Sequence, residues 1–200
     1  MSNLKENESQ VHLMGFLQDQ GVHAHQDHLF TMMREAREEY PEGKIIIHPF
    51  LDGRDTPPKS SEDFIKQLQE VTEEVGNCQI GTTMGRFYGM DRSEKWKITD
   101  KAYKCLVDGE GREADDILEA VQYSYENFMT PDDEEMFDEY IPPHVFNGYE
   151  GIQDGDCVVH TNYRQDRAIQ LTKAFVEDDY PGERDRRPDV TYLGLTQYYD

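Results

Sequence analysis

What most constrains this 200-residue chain is an alternation. Short apolar runs recur along it, and longer stretches between them repeat their apolar residues every three to four positions. Residues 11–17 and 44–50, the second β-branched at its centre, read as buried strands, and between them Leu29, Met32, Met33 and Ala36 share one helical face. Phe64, Ile65, Leu68, Val71 and Val75 make a second helical stripe, with Ser60 and Asp63 before it at the spacing of a capping box. Residues 78–84 predict a third strand and residues 85–92 the loop beyond it. Trp96, Ala102, Tyr103 and Leu106 predict a helix ended by Gly109 and Gly111, and Ala114, Ile117, Leu118, Val121 and Tyr125 another. Residues 130–139 are acidic without a period and read as irregular chain; Val145 and Phe146 start a short extended segment. Residues 157–162 predict a strand, Ala168, Leu171, Ala174 and Phe175 a helix, and residues 190–195 a last strand. Such alternation implies an α/β fold, a mostly parallel sheet flanked by helices. The length suits a single domain over residues 11–200 behind a polar lead over residues 1–10.

The formal net charge is −22. A surface of that sign argues against nucleic acid or an anionic membrane as partner, because both need basic residues. It fits either a salt-adapted protein or an ordinary acidic one. Cys78, Cys105 and Cys157 form no C-x-x-C pair, the start MSNLKENESQ has no signal-peptide core, and no apolar run is long enough to span a bilayer. A reduced, cytoplasmic setting is therefore expected.

In an open parallel sheet, ligands sit beyond the carboxyl ends of the strands. Four predicted strands lead into polar loops that carry Asp19 and His23, Arg54 and Asp55, Arg86 and Arg92, and Arg164 with Arg167. If those strands are parallel neighbours, five arginines meet along one edge of a strongly acidic protein. Clustered guanidinium groups repel one another unless an anion joins them, and arginine suits bidentate binding of carboxylate and phosphate. Taken singly, an arginine after a strand is more often a surface residue or the partner of a nearby acid. Asp55 could act as a general acid/base or could orient a neighbouring arginine. His23 suits a hydrogen-bond donor to the anion, whereas His25 and His28 read as helix-start or surface residues. With no cysteine or carboxylate cage beside them, no metal site is expected. No P-loop, G-x-G-x-x-G or Ser-His-Asp ordering is present.

Four long segments occur in a telling order: VHLMGFLQDQGVHAHQDHLF, FLDGRDTPPKS, GRFYGMDRSEKW and DGDCVVHTNYRQDRA. From residue 11 to the C-terminus the chain resembles the cofactor-independent (2,3-bisphosphoglycerate-independent) phosphoglycerate mutases, and within them the α/β transferase domain inserted into a phosphatase-like domain. That resemblance implies binding of 3-phosphoglycerate and 2-phosphoglycerate through His23, Arg54, Asp55, Arg86, Arg92, Arg164 and Arg167. It makes Asp55 the candidate to carry a proton on the glycerate hydroxyls. It implies no cofactor in this domain; the serine nucleophile and two manganese ions belong to the phosphatase-like partner domain, without which the chain is expected to turn nothing over. A non-catalytic module that binds a phosphorylated metabolite is the alternative. The chain departs from the family pattern where Gln20 replaces a glycine, Ala24 a serine and Tyr163 a phenylalanine.

Overall fold

A computed structural model describes residues 9–199; residues 1–8 of the polar lead, and Asp200, lie outside the described residues. Among the described residues, eight strands form one sheet: β1 (Val11–Phe16), β2 (Ile45–Leu51), β3 (Cys78–Ile80), β4 (Thr82–Gly85), β5 (Arg112–Ala114), β6 (His144–Phe146), β7 (Cys157–His160) and β8 (Thr191–Gly194). Their order is β5-β6-β4-β2-β1-β7-β8, with β3 also pairing β2. The helices are α1 (Gln26–Glu39), α2 (Ser61–Val75), the single turn α3 (Arg86–Gly89), α4 (Trp96–Asp108), α5 (Ile117–Asn127) and α6 (Ile169–Val176).

β1 runs parallel to β2 and β7, and β2 parallel to β4, so the four strands that carry the polar loops all point the same way. The two central strands are buried along their whole length, as a sheet covered on both faces requires. Their side chains alternate between two cores. Val11, Leu13, Ile45, Ile47 and Leu51 pack under α1, α2 and α5. Met14, Phe16, Ile46 and Phe50 face the other way, against Ala102, Tyr103 and Leu106 of α4 and Leu171, Ala174 and Phe175 of α6. A period of two on the strands thus meets a period of 3.6 on the helices from both sides.

Three local expectations change. The predicted third strand is two: β3 pairs the first half of β2 and β4 the second, with the Gly81 N–H donating to the Ile47 carbonyl between them. β6 lies antiparallel to β4 and carries the unforeseen β5, so the sheet is mixed at that edge. Ser60 makes no side-chain cap on α2. Asp138, from the acidic stretch read as irregular, accepts from the Ser60 and Ser61 N–H groups at 2.9 Å each and from the Ser61 hydroxyl at 2.8 Å. A carboxylate there satisfies free helix-end donors and meets the positive end of the helix dipole. Asp138 begins a 3-10 turn, Asp138–Tyr140. That turn lies so close to Gly85 that a Cβ on Gly85 would come within 2.1 Å of the Glu139 carbonyl oxygen.

One polar chain crosses the apolar centre. The Asp156 carboxylate meets His12 Nε2 at 3.1 Å, His12 Nδ1 meets His48 Nε2 at 3.0 Å, and His48 Nδ1 meets the Thr82 hydroxyl at 2.8 Å. Burial lowers the pKa of both histidines, so the rings are neutral and each nitrogen has one role. His12 donates to Asp156, His48 donates to His12, and Thr82 donates to His48.

Candidate functional site

The polar loops after β1, β2, β4 and β7 meet at the carboxyl edge of the sheet and are tied to one another through backbone. The Tyr163 and Arg164 N–H groups donate to the His23 carbonyl at 3.0 and 3.2 Å, and the Leu17 N–H donates to the Phe50 carbonyl at 3.0 Å. In the first loop it is Gly21 that takes the left-handed backbone, φ +67°, whereas Gln20 is not among the residues with positive φ. The glycine lost at position 20 is therefore not the one the turn requires. The Tyr163 hydroxyl donates to the Gly21 carbonyl at 2.5 Å, a tie that a phenylalanine could not make.

Arg86, on α3, is the centre of the arrangement. It is 2% exposed and lies over the Phe16 ring at 4.9 Å. Its Nη1 donates to Asp52 Oδ1 at 2.6 Å and to Asp55 Oδ2 at 2.8 Å. Its Nη2 points at His23 Nε2, 3.4 Å away. Arg54 and Asp55, adjacent in sequence, take different partners. Asp55 goes to Arg86, while Arg54 reaches Glu139 Oε1 at 3.2 Å and remains mostly exposed.

Across from these, Asp166 collects the other arginines. Arg92 Nη1 donates to its Oδ2 at 2.5 Å and Arg164 Nε lies 2.9 Å from its Oδ1. Arg167 is more enclosed, and its Nη1 donates to the Met90 carbonyl at 3.0 Å. Burial, then the fields of Arg86, Arg92 and Arg54, push the Arg167 pKa down to about 10. Those named fields place four guanidinium groups within electrostatic reach of one another. For His23, burial is the largest effect and the Arg86 guanidinium the next, and together they bring it down to about 4. The ring is thus neutral at pH 7, with Nε2 toward the Arg86 guanidinium and Nδ1 toward Asp166.

All seven predicted residues come to one edge, so the topology expected for them holds. Sequence reasoning missed their acidic counterparts: Asp52, buried against Arg86, Glu139, which takes Arg54, and the sharing of one carboxylate, Asp166, by two arginines. Asp166 had a local signal, lying between Arg164 and Arg167; Glu139 lies 85 residues from its partner and had none. Shape alone points elsewhere. A hollow of about 460 Å³ beside α5 is lined by Leu118, Val121, Tyr123 and Tyr125, but its charged residues are only Glu62, Glu119 and Glu126. The candidate metal cluster among the described residues, Asp108, Glu110 and Asp185, is also remote in kind. Two of its carboxylates are taken by Arg186 and Lys104.

The fold and site define an α/β domain that gathers arginines and a neutral histidine beyond four parallel strand ends, the edge at which open sheets of this class take their ligands. The chain belongs to the family described as "BPG-independent PGAM N-terminus", whose model matches residues 1–200. Among similar curated proteins, the 2,3-bisphosphoglycerate-independent phosphoglycerate mutase of Moorella thermoacetica is 41% identical over 203 residues, covering 97% of this chain and 37% of that protein. The enzyme of the same name from Salinibacter ruber is 37% identical over 207 residues, covering 98% of this chain and 38% of its own length. A crystal structure of Leishmania mexicana phosphoglycerate mutase, solved at low cobalt concentration, matches with a TM-score of 0.86 at 31% identity, over 95% of this chain and 36% of that one. The chain therefore spans less than two fifths of the length of these relatives. Among the described residues, no helix is long and apolar enough to cross a membrane.

Proposed function

We propose that residues 11–200 form the phosphoglycerate-holding transferase domain of a phosphoglycerate mutase that interconverts 3-phosphoglycerate and 2-phosphoglycerate in glycolysis and gluconeogenesis in the cytoplasm. The observation that carries this reading is the gathering of His23, Asp55, Arg86, Arg92 and Arg164 through direct contacts at one strand-end edge, with Arg167 close enough that, after burial itself, the fields of Arg86, Arg92 and Arg54 lower its pKa. An anion with two charged ends relieves that repulsion. Arg92 and Arg164 are about half exposed, and among the described residues the acid that pairs with both is the shared Asp166. Exposed pairs of this kind are worth little, about 0–1 kcal/mol, and so exchange readily for a phosphate or carboxylate. Arg86 has a different part. Being buried and already paired, it sets the position of Asp55, whose carboxylate is 24% exposed and free on its outer side to take a proton from a glycerate hydroxyl.

The phosphoryl group would pass through a serine of the phosphatase-like domain, where the two manganese ions supply Lewis-acid and nucleophile-activating chemistry. This chain would hold and turn the glycerate between the two half-steps. Calorimetric titration with 3-phosphoglycerate tests the reading. Binding is expected to weaken about tenfold or more in Arg167→Ala, and isomerisation should appear only when a separately made phosphatase-like domain is added. Turnover by the 200 residues alone, or no heat at millimolar ligand, refutes it.

A further inference from the structure

His23 Nδ1 is buried at the crevice with no hydrogen-bond partner among the described residues, and it faces Asp166 Oδ1, whose other near neighbour is Arg164 Nε at 2.9 Å. His23 Nδ1 and Asp166 Oδ1 lie 3.5 Å from each other. On the other side of the ring, His23 Nε2 faces Arg86 Nη2 at 3.4 Å and Asp55 Oδ2 at 3.9 Å. A guanidinium can only donate, so Nε2 carries the lone pair and the ring proton sits on Nδ1, aimed at the Asp166 carboxylate. A closing of a few tenths of an ångström completes that hydrogen bond.

We propose that Asp166 is a positioning residue that holds His23 in the Nδ1–H form, so that Nε2 stands in the crevice as the acceptor for a ligand hydroxyl. The inference deepens the phosphoglycerate reading and, for the identity of the hydroxyl, rests on it. The arginines of the crevice are donors and suit the charged ends of the ligand. A hydroxyl between those ends brings a donor as well, and Asp55 and His23 Nε2, 3.9 Å apart, offer it acceptors. The Arg86 contact with Nε2 is long, so a hydroxyl proton displaces it at small cost. Asp166 is well placed to act through its neighbour. Its Oδ2 is engaged by Arg92 and by Arg164 Nη2 at 3.3 Å, and Arg164 Nε lies 2.9 Å from Oδ1, which fixes the plane of the carboxylate and leaves Oδ1 facing the imidazole as well. The His23 ring cannot swing away, because Phe16 packs against it edge-on at 5.7 Å and its own carbonyl is bonded to the loop that carries Asp166.

The test joins a spectrum to a pair of ligands, using the 200-residue chain. Nitrogen-15 NMR of the imidazole is expected to show His23 of the wild type as the Nδ1–H tautomer at pH 7, Asp166→Ala as a mixture, and Asp166→Glu with the wild-type form restored. Calorimetry compares 3-phosphoglycerate with 3-phosphonooxypropanoate, which keeps the phosphate, the carboxylate and the carbon span between them and lacks only the hydroxyl. The wild type should prefer 3-phosphoglycerate by about fivefold, the worth of one hydrogen bond, and Asp166→Ala should bring that ratio to about one. Freed Arg92 and Arg164 raise the affinity for both anions alike, so the ratio is unaffected by that change. An Nε2–H tautomer in the wild type, or an undiminished ratio in a folded Asp166→Ala, overturns the proposal. If neither ligand binds the wild type, the phosphoglycerate reading and the hydroxyl contact fall together, while the tautomer is decided by the spectrum alone and needs no variant.

Discussion

Replacing Arg86 by methionine tests the division of labour at the crevice, because it separates an arginine that builds the site from one that serves the ligand. The Arg86 and Asp52 side chains are 2% and 1% exposed and meet at 2.6 Å. Without Arg86, Asp52 keeps the backbone N–H groups of Arg54 and Asp55 at 3.2 Å each, but no counter-charge reaches its buried carboxylate among the described residues. Stranding one half of a buried ion pair costs about 3–5 kcal/mol, a large part of a typical total of about 5–15 kcal/mol. For a domain of this size a loss of about 4 kcal/mol lowers Tm by roughly 8–16 °C. Adding Asp52→Asn removes the stranded charge while an amide oxygen still accepts the two N–H groups, so the double variant should regain about half of the loss. Urea unfolding followed by far-UV circular dichroism gives both numbers, with the slope m held in common. A single variant within about 1 kcal/mol of wild type, or a double variant less stable than the single one, would refute the assignment and return Arg86 to the pool of free ligand-binding arginines.

Other outcomes follow from the same geometry. His12, His48 and His160 are fully buried and burial lowers the pKa of all three, His160 to about 3. The unfolded rings bind protons near pH 6.5 and the folded ones do not, so stability is complete above that pH and lost as pH falls, by up to about 1.4 kcal/mol per pH unit for each ring. Urea midpoints should be flat above pH 7 and drop steeply from pH 6 to 4.5; a level profile to pH 4.5 contradicts this. Asp138→Ala orphans the Ser60 and Ser61 N–H groups and the Ser61 hydroxyl, and should lower stability by about 2–4 kcal/mol in the same assay. Gly85→Ala drives a methyl group into the Asp138 and Glu139 carbonyl oxygens, at 2.5 and 2.1 Å. Backbone cannot yield as a side chain does, so a cost of about 3 kcal/mol is expected in thermal unfolding.

The alternation of periods was enough to read the layers, the direction of the central strands and the edge where the arginines meet. Those features depend on residues near one another in sequence, or on a rule that relates strand ends to ligands. What escaped depends on distance along the chain. Ser60 and Asp63 had the spacing of a capping box, yet the carboxylate that caps α2 comes from Asp138, 78 residues away. Nothing periodic marks residues 130–139, because a 3-10 turn held by its side chains needs no repeating apolar face. β5 and β6 have three residues each, too few for alternation to register. At the site, each arginine was legible as a cation and pairing with some nearby acid as the alternative, but the particular acid that Arg54 or Arg86 takes was not.

The buried chain from Asp156 through His12 and His48 to Thr82 has a consequence for how the central strands find one another. β1 and β2 are buried on both faces, and isoleucine, leucine, methionine and phenylalanine would fill either side after a slip. In most sheets a slip turns polar groups inward and is penalised at once. Here the penalty resides in one row: a slip of β1 by a single residue separates His12 from both Asp156 and His48 and strands its ring, while His48 keeps only Thr82 and Asp156 the Gln153 N–H. The row works as an alignment key for strands that are otherwise interchangeable. A His12→Val/His48→Val protein should therefore retain a compact fold but give more than one set of amide resonances for β1 and β2; a single sharp set would mean that the turns alone choose the register.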